Sequence, residues 1–342
     1  MEVFNGVRFV RLRSVGRSGS YLAADTDGWG VCVSNQRGTH NTVWAVQHVE
    51  AFDGTACVAL RGTYGRYLVD GSKCARQKDL DTEPTPHSFL WQAALWKRSF
   101  VVRAASGGYL RPEEFRGRRE LVTCGEDTGT TMMLWHIENV PVRLNRPSIL
   151  DPAPQLPYRL PPTEEKVTWR FRYLFAKDGA IDEGEWKTQR LRINLHSLTT
   201  TVHEALRVNL EAPEDSTLCI RPGRYGELAP LLIDLPICKD NRLINIVIVP
   251  HGTPADNELQ FPDVDAPTEQ EESTLSCPPP DLFGPLPNGP PEPVISLPAP
   301  INRNQTQAET STYNQAHHHK EKTRGDWKSW KFEHVPSSSK NA

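Results

Sequence analysis

Residues 1–145 predict a β-trefoil built from three copies of one repeat, and two markers running in phase carry that prediction. The first reads apolar-Arg-small, then a polar turn with glycine, then Tyr-Leu. It occurs at Leu12-Arg13-Ser14 to Tyr21-Leu22, at Leu60-Arg61-Gly62 to Tyr67-Leu68, and at Val102-Arg103-Ala104 to Tyr109-Leu110. The second marker is a tryptophan strand that closes each unit: Val43-Trp44-Ala45-Val46, Leu90-Trp91-Gln92-Ala93 and Leu134-Trp135-His136-Ile137. The tyrosines lie 46 and 42 positions apart and the tryptophans 47 and 44. Two independent markers keeping one period define a repeat architecture.

Each element of the repeat has a physical reason. Val10 and Leu12 alternate with Arg11 and Arg13, the period-two pattern of a half-buried strand. A glycine ahead of Tyr-Leu permits the positive φ of a tight hairpin turn. The tyrosine then turns inward, and the tryptophan strand returns to the same core. One such unit cannot bury its apolar face alone, whereas three can close a barrel.

Prolines 147, 152, 154, 157, 161 and 162 mark residues 146–165 as a linker. A second domain is expected over 166–250. Val167 to Phe175 and Arg190 to Leu195 read as strands, with a turn at Asp178-Gly179. Thr201-Val-His-Glu204 is a capping box, and Val202, Ala205, Leu206 and Leu210 share one helix face. Thr217 to Arg221, Pro230 to Leu235 and Leu243 to Val249 complete a ββαβββ order, which predicts a ubiquitin-like α+β fold. Residues 251–300 hold 13 prolines, nine acidic residues and no Lys or Arg, so 251–342 is expected to be a disordered tail. The fold class is therefore mainly β: trefoil, small α+β domain and tail.

Composition agrees with a chain that is only partly globular. The hydrophobic fraction is 37% and there are 29 prolines. Formal charge is +4 over 1–146, −1 over 147–250 and −6 over 251–342. No segment has the dense Lys/Arg that phosphate contacts require, so nucleic acid is not an expected partner. Seven dispersed cysteines without a C-x-x-C pair predict reduced thiols, a cytoplasmic or nuclear setting and no structural zinc. The sequence shows neither a secretory leader nor an apolar run of membrane-spanning length.

The opening Met-Glu-Val-Phe-Asn-Gly-Val-Arg-Phe-Val-Arg-Leu-Arg-Ser and Tyr21-Leu-Ala-Ala-Asp25 resemble a plant family of unknown function. That family's N-terminal domain is classed with the fascin-like, actin-crosslinking trefoils. Cys219-Ile-Arg-Pro-Gly-Arg-Tyr-Gly-Glu-Leu-Ala-Pro-Leu-Leu-Ile-Asp-Leu-Pro236 is similar to the same family's second domain. The resemblance spans about residues 1–250 and implies actin binding. Fascin bridges filaments with several trefoils, whereas this chain has one.

Candidate binding residues follow from charge and symmetry. Arg116, Arg118 and Arg119 form a basic loop in the third repeat alone, and a departure from symmetry is where a grafted site would sit. Arg17 and Arg66 lie in the turns before Tyr21 and Tyr67. Arg13, Arg61 and Arg103, with Tyr21, Tyr67, Tyr109, Trp44, Trp91 and Trp135, are repeat-equivalent and read first as structural. The tryptophans lack the Gln two residues earlier that ricin-type lectin trefoils carry; Thr42, Phe89 and Met133 stand there. His317, His318 and His319 read as solvated tail residues, with weak transition-metal binding as the alternative. Trp327, Trp330 and Phe332, interleaved with Lys328 and Lys331, suggest a short motif in the tail that folds onto a protein partner or a membrane surface. No G-x-S-x-G, H-E-x-x-H, P-loop or G-x-G-x-x-G occurs in a catalytic context, and no cofactor or metal is expected. The sequence thus predicts a non-enzymatic binding or scaffold protein, with actin or another acidic surface as partner. The alternative is a carbohydrate- or small-ligand-binding trefoil using a cleft between repeats.

Overall fold

Twelve short strands form one continuous sheet over the first 140 residues, four from each repeat. The computed structural model describes residues 2–50, 54–71, 74–81, 86–113, 121–125, 130–147, 166–176, 186–194, 202–233, 235–236 and 243–267. Repeat one holds β1 (Phe9–Ser14), β2 (Tyr21–Ala24), β3 (Val31–Ser34) and β4 (Trp44–Glu50). Repeat two holds β5 (Ala56–Arg61), β6 (Tyr67–Val69), β7 (Arg76–Lys78) and β8 (Trp91–Trp96). Repeat three holds β9 (Ser99–Ala104), β10 (Tyr109–Glu113), β11 (Leu121–Gly125) and β12 (Leu134–Val140).

The first and last strands of the repeats close a ring. β1 pairs β4, β4 pairs β5, β5 pairs β8, β8 pairs β9, β9 pairs β12, and β12 returns to β1. Every one of these pairings is antiparallel. The hairpins β2–β3, β6–β7 and β10–β11 hang from the ring as a cap. This is the β-trefoil that the repeats predict. Closure leaves no free edge in the ring, which removes the hazard of open sheets.

The turn that joins ring to cap is the same three times over. Ser14, Gly62 and Ala104 each donate N–H to the carbonyl of Ser20, Arg66 and Gly108, all at 2.8 Å. Inside that loop Gly19, Gly65 and Gly107 take φ of +76°, +77° and +107°, the conformation that an L side chain resists. The chain emerges with Tyr21, Tyr67 and Tyr109 directly opposite Arg13, Arg61 and Arg103.

The core lies on the pseudo-threefold axis. Trp44, Trp91 and Trp135 are fully buried among Leu12, Leu60, Val102 and their neighbours. A buried indole needs an acceptor. Each finds one in the cap strand of its own repeat: Leu22 O at 3.1 Å, Leu68 O at 2.9 Å and Leu110 O at 2.8 Å.

After β13 (Val142–Arg143) the second domain comprises β14 (Lys166–Phe175), β15 (Lys187–Asn194), α1 (Val202–Asn209), β16 (Ser216–Ile220), β17 (Ala229–Pro230) and β18 (Leu243–Pro250). The sheet order is β15-β14-β18-β16-β17, with β14 and β18 parallel at its centre. Leu206 and Leu210 on and just past α1 are buried against Trp169, Phe171, Leu218, Ile246 and Ile248. A helix laid across a mixed sheet with a central parallel pair is the ubiquitin-like arrangement that ββαβββ predicts. The expected turn at Asp178-Gly179 lies outside the described residues.

Two expectations need correction. Pro230 to Leu235 is not a strand. Ala229–Pro230 pairs with β16, Leu231 N–H adds one bond to Leu218 O at 2.8 Å, and the segment then leaves the ladder. Leu231 and Leu235 enter the core of the second domain, whereas Ile233 enters that of the trefoil. Leu231, Ile233 and Leu235 share one parity, and a strand would turn all three to one face; here the chain lies between two bodies and serves both.

The expected tail also begins too early. Defined structure continues through α2 (Pro254–Asn257) and β19 (Phe261–Pro262) to Pro267. β19 pairs with β13, and Val264 is buried against Phe9, Val43 and Val140 of the trefoil. Acidity and proline content predict solvation, but Phe261 and Val264 supply apolar anchors within the acidic stretch. The start of the expected linker is pinned as well, since Arg146 pairs with Asp256. Residues 148–165 and those from 268 onward lie outside the described residues.

Truncating one ring tryptophan should empty the axis and strand a carbonyl. Trp91→Ala is expected to destabilise the trefoil by about 3–5 kcal/mol, as for other buried aromatics. A thermal melt followed by near-ultraviolet circular dichroism checks it; an unchanged midpoint would contradict the threefold core.

Candidate functional site

The repeat-equivalent arginines begin from one backbone position and end in three different jobs. Arg13 Nε lies 3.0 Å from Glu138 Oε1 on the neighbouring ring strand β12, so the pair staples the ring where it closes. Arg61 reaches out of the trefoil to Glu227 of the second domain, donating to its carbonyl at 3.1 Å and facing its carboxylate at 3.7 Å. Arg103 is exposed and donates through Nε to Gly107 O of its own turn, at 3.3 Å. These are structural contacts, and the second of them builds an interface.

That interface is centred on repeat two. Tyr67 is fully buried; its hydroxyl donates to Gln47 Oε1 at 2.9 Å and accepts the Glu227 N–H at 3.3 Å. Leu80 N–H donates to Pro222 O at 3.1 Å, and Arg224 N–H to Asp81 Oδ2 at 3.1 Å. Two glycines allow the backbones to approach. A Cβ on Gly65 would stand 2.9 Å from Ile220 Cγ2, and one on Gly28 would stand 2.6 Å from Pro236 Cβ. The segment Cys219–Pro236, which in the sequence carries the family resemblance, is the docking segment of the second domain.

Arg66 belongs to this interface and not to an external site. It is 5% exposed, donates from Nη1 to Gly28 O at 2.6 Å, meets Asp79 at 3.2 Å and lies 3.7 Å over the Trp29 ring. The expectation that Arg66 contacts a partner is therefore corrected. Its position in a turn suggested exposure, but the second domain covers that turn. Arg17 stays on the trefoil surface, half-buried, in a turn where its N–H donates to Ser14 Oγ at 3.1 Å. Arg116, Arg118 and Arg119 lie outside the described residues, as do Trp327, Trp330 and Phe332.

The cavity bounded by Tyr64, Arg66, Ile220 and Pro236 holds about 10 Å³, the room of a single water. No three His, Cys, Asp or Glu side chains come together as metal ligands among the described residues. Burial pushes the Cys219 thiol far up, and burial followed by the Asp70 charge does the same to Cys124, so neither is a ready thiolate.

Among the described residues of the trefoil, Trp96 is the large aromatic that faces outward. At the tip of the β8–β9 hairpin Trp96 is 52% exposed and Leu95 68%, followed by the exposed turn residues Lys97 and Arg98. Trp96 pairs with Ser99 across the tip, and Lys97 takes φ +57° to make the turn. Sequence reasoning passes over this residue, although a signal was present. Trp96 stands an odd number of positions after Trp91, so one strand carries them to opposite faces.

These features define a class, a closed β-trefoil fused to a ubiquitin-like domain. Residues 1–76 match the family described as a β-trefoil domain of unknown function (DUF569), and residues 168–249 match the ubiquitin-like domain associated with it. The chain carries both domains of that pairing. Among solved structures, the Polyporus squamosus lectin is similar at 14% identity and TM-score 0.33, covering 40% of this chain and 51% of its own. The Rhizoctonia solani agglutinin is similar at 14% identity and TM-score 0.32, covering 39% and 95%. A mosquitocidal holotoxin is similar at 11% identity and TM-score 0.34, covering 39% and 16%. The chain thus spans about half of the first lectin and under a fifth of the toxin. No curated protein matches the sequence.

Two outcomes are expected of the interface. Gly19→Ala meets open space and should lose only about 1–2 kcal/mol of left-handed strain, whereas Gly65→Ala adds a clash with Ile220. Its melting midpoint should therefore fall clearly further, and equal losses would argue against the docked arrangement.

Burial raises the Tyr67 hydroxyl above its ordinary value, with the Arg61 charge and the Glu227 N–H opposing and the Glu227 charge assisting. A group raised in the folded state contributes stability that is complete below its unfolded value, about 10 for tyrosine, and is lost as pH climbs past it. Urea midpoints should fall above pH about 10. Tyr67→Phe should flatten that decline; an unchanged alkaline slope would mean that Tyr67 is not buried as described.

Proposed function

We propose that the protein works by binding rather than catalysis, and that the trefoil recognises carbohydrate through the β8–β9 hairpin tip. The observation that carries this reading is Trp96, a tryptophan with half its surface in water on a rigid, paired hairpin. Leaving so much indole exposed forgoes the burial that stabilises its three ring counterparts. A pyranose ring offers a flat array of C–H groups that covers an indole face, and Arg98 and Lys97 beside it can donate hydrogen bonds to hydroxyls or an acidic sugar. The three ring tryptophans take no part, because their indoles are buried and already paired.

Actin has less in its favour. Of the arginines on which that reading rests, Arg66 is buried in the domain interface, and no described contact favours an acidic filament.

The test is a glycan panel probed with the full-length chain, followed by titration of each hit by tryptophan fluorescence. A ligand should quench or blue-shift the exposed indole. Trp96→Ala should weaken binding at least tenfold without moving the melting midpoint. Binding that survives Trp96→Ala, or a panel without any hit, would overturn the proposal.

A further inference from the structure

The segment that follows the ubiquitin-like domain is held on the trefoil as an extended peptide would be. Phe261 and Pro262 of β19 pair antiparallel with Arg143 and Val142, and Asp263 N–H donates to Pro141 O at 2.9 Å. This is strand addition to a short free edge just beyond the ring. Val264, 3% exposed, fills an apolar socket formed by Phe9, Val43 and Val140. Three guanidinium groups read the strand around that socket. Arg11 Nη2 donates to Val264 O at 2.6 Å and Arg37 Nη2 to Ala266 O at 2.8 Å. Arg143 Nη2 meets Asp263 at 3.1 Å and Asp265 at 2.9 Å.

The groove is built to hold something there. Arg11 is 1% exposed, and its Nε has no hydrogen-bond acceptor among the described residues. Arg37 is drawn to Glu138 at 3.6 Å, a carboxylate that Arg13 already engages at 3.0 Å. Removing the strap would strip carbonyl or carboxylate acceptors from Arg11, Arg37 and Arg143 together. A buried cation without its acceptor is strongly unfavourable, so the vacated groove demands a replacement. The replacement must supply an extended backbone, one small apolar side chain and flanking carboxylates.

We infer that this face of the first and third repeats is a binding groove for extended acidic peptides, occupied in cis by residues 261–266. Recognition runs mainly through backbone, with Val264 and the two aspartates adding selectivity. Phe261 contributes at the rim, where the Arg146 guanidinium lies 5.8 Å from its ring. The strap is tethered, so it competes at an effective concentration that a free peptide reaches only in the millimolar range. Weakening the strap should therefore open the groove to a partner in trans.

The experiment uses full-length protein and a labelled synthetic peptide covering residues 258–268, with binding read by fluorescence anisotropy. Wild type should bind it at least tenfold more weakly than Asp263→Lys/Asp265→Lys, in which the strap is repelled and the groove is unchanged. Binding to that variant should weaken with salt. It should also fail for a peptide whose own two aspartates are replaced by lysine. Adding Arg143→Glu restores the attraction in cis by exchange of charge, so peptide binding should fall again and amide exchange at 261–266 should slow. The inference is overturned if the double variant stays folded yet binds the peptide no better than wild type. Loss of cooperative melting in the double variant also overturns it, because the strap would then be an integral strand.

Discussion

Three hydrogen bonds from buried indoles to leucine carbonyls hold the trefoil together as one object. Each links the closing ring strand of a repeat to its cap hairpin, across 22, 23 or 25 positions of chain. The tryptophans supply the bulk that fills the axis, and the bonds fix how each hairpin sits over the ring. A buried N–H without an acceptor costs more than the bond contributes, so the cap cannot slide without stranding it. The positive-φ glycines before the tyrosines then only have to deliver each chain to that cap at the right angle.

On this symmetric base, function and assembly come from the places where the repeats diverge. Arg13, Arg61 and Arg103 occupy one backbone position, opposite one tyrosine position. The first closes the ring, the second grips another domain and the third stays with its own turn. Repeat two is given over to the ubiquitin-like domain, which is why Tyr67 is fully buried and Arg66 covered. Repeat two also sends the β8–β9 tip into solvent with Trp96 and Leu95 exposed. One repeat thus serves both the internal interface and the outward aromatic.

The trefoil was legible in the sequence because its constraints are local and recur three times. Tyr-Leu after a glycine turn and a tryptophan on the last strand are each set within one repeat. The strand order of the second domain was legible for a related reason, since its helix and strands alternate with clear periods. What escaped depended on contacts between distant segments. Residues 230–235 form an apolar run like that of a buried strand, yet Leu231 and Leu235 belong to one core and Ile233 to another. Residues 261–266 carry the composition of a solvated tail, and only their fit to Val43, Phe9 and three arginines orders them. Arg66 sits in a turn, and nothing local says that another domain lies over it.

The path of the chain ties these features into one mechanical unit. From β13 it leaves the trefoil, builds the ubiquitin-like domain and returns at β19 to pair with β13 itself. The second domain is therefore bracketed, its entry and exit fastened side by side through Arg143 to Asp263 and Arg146 to Asp256. Its other attachment is the repeat-two interface around Gly65 and Glu227. Releasing the strap would leave that interface as the main hold, where polar contacts sit beside apolar ones from Ile220, Ile233 and Pro236. A peptide that displaced the strap would thus alter more than the groove it filled. It would loosen one of two clamps on the neighbouring domain, coupling occupancy of the first repeat to the docking of the second.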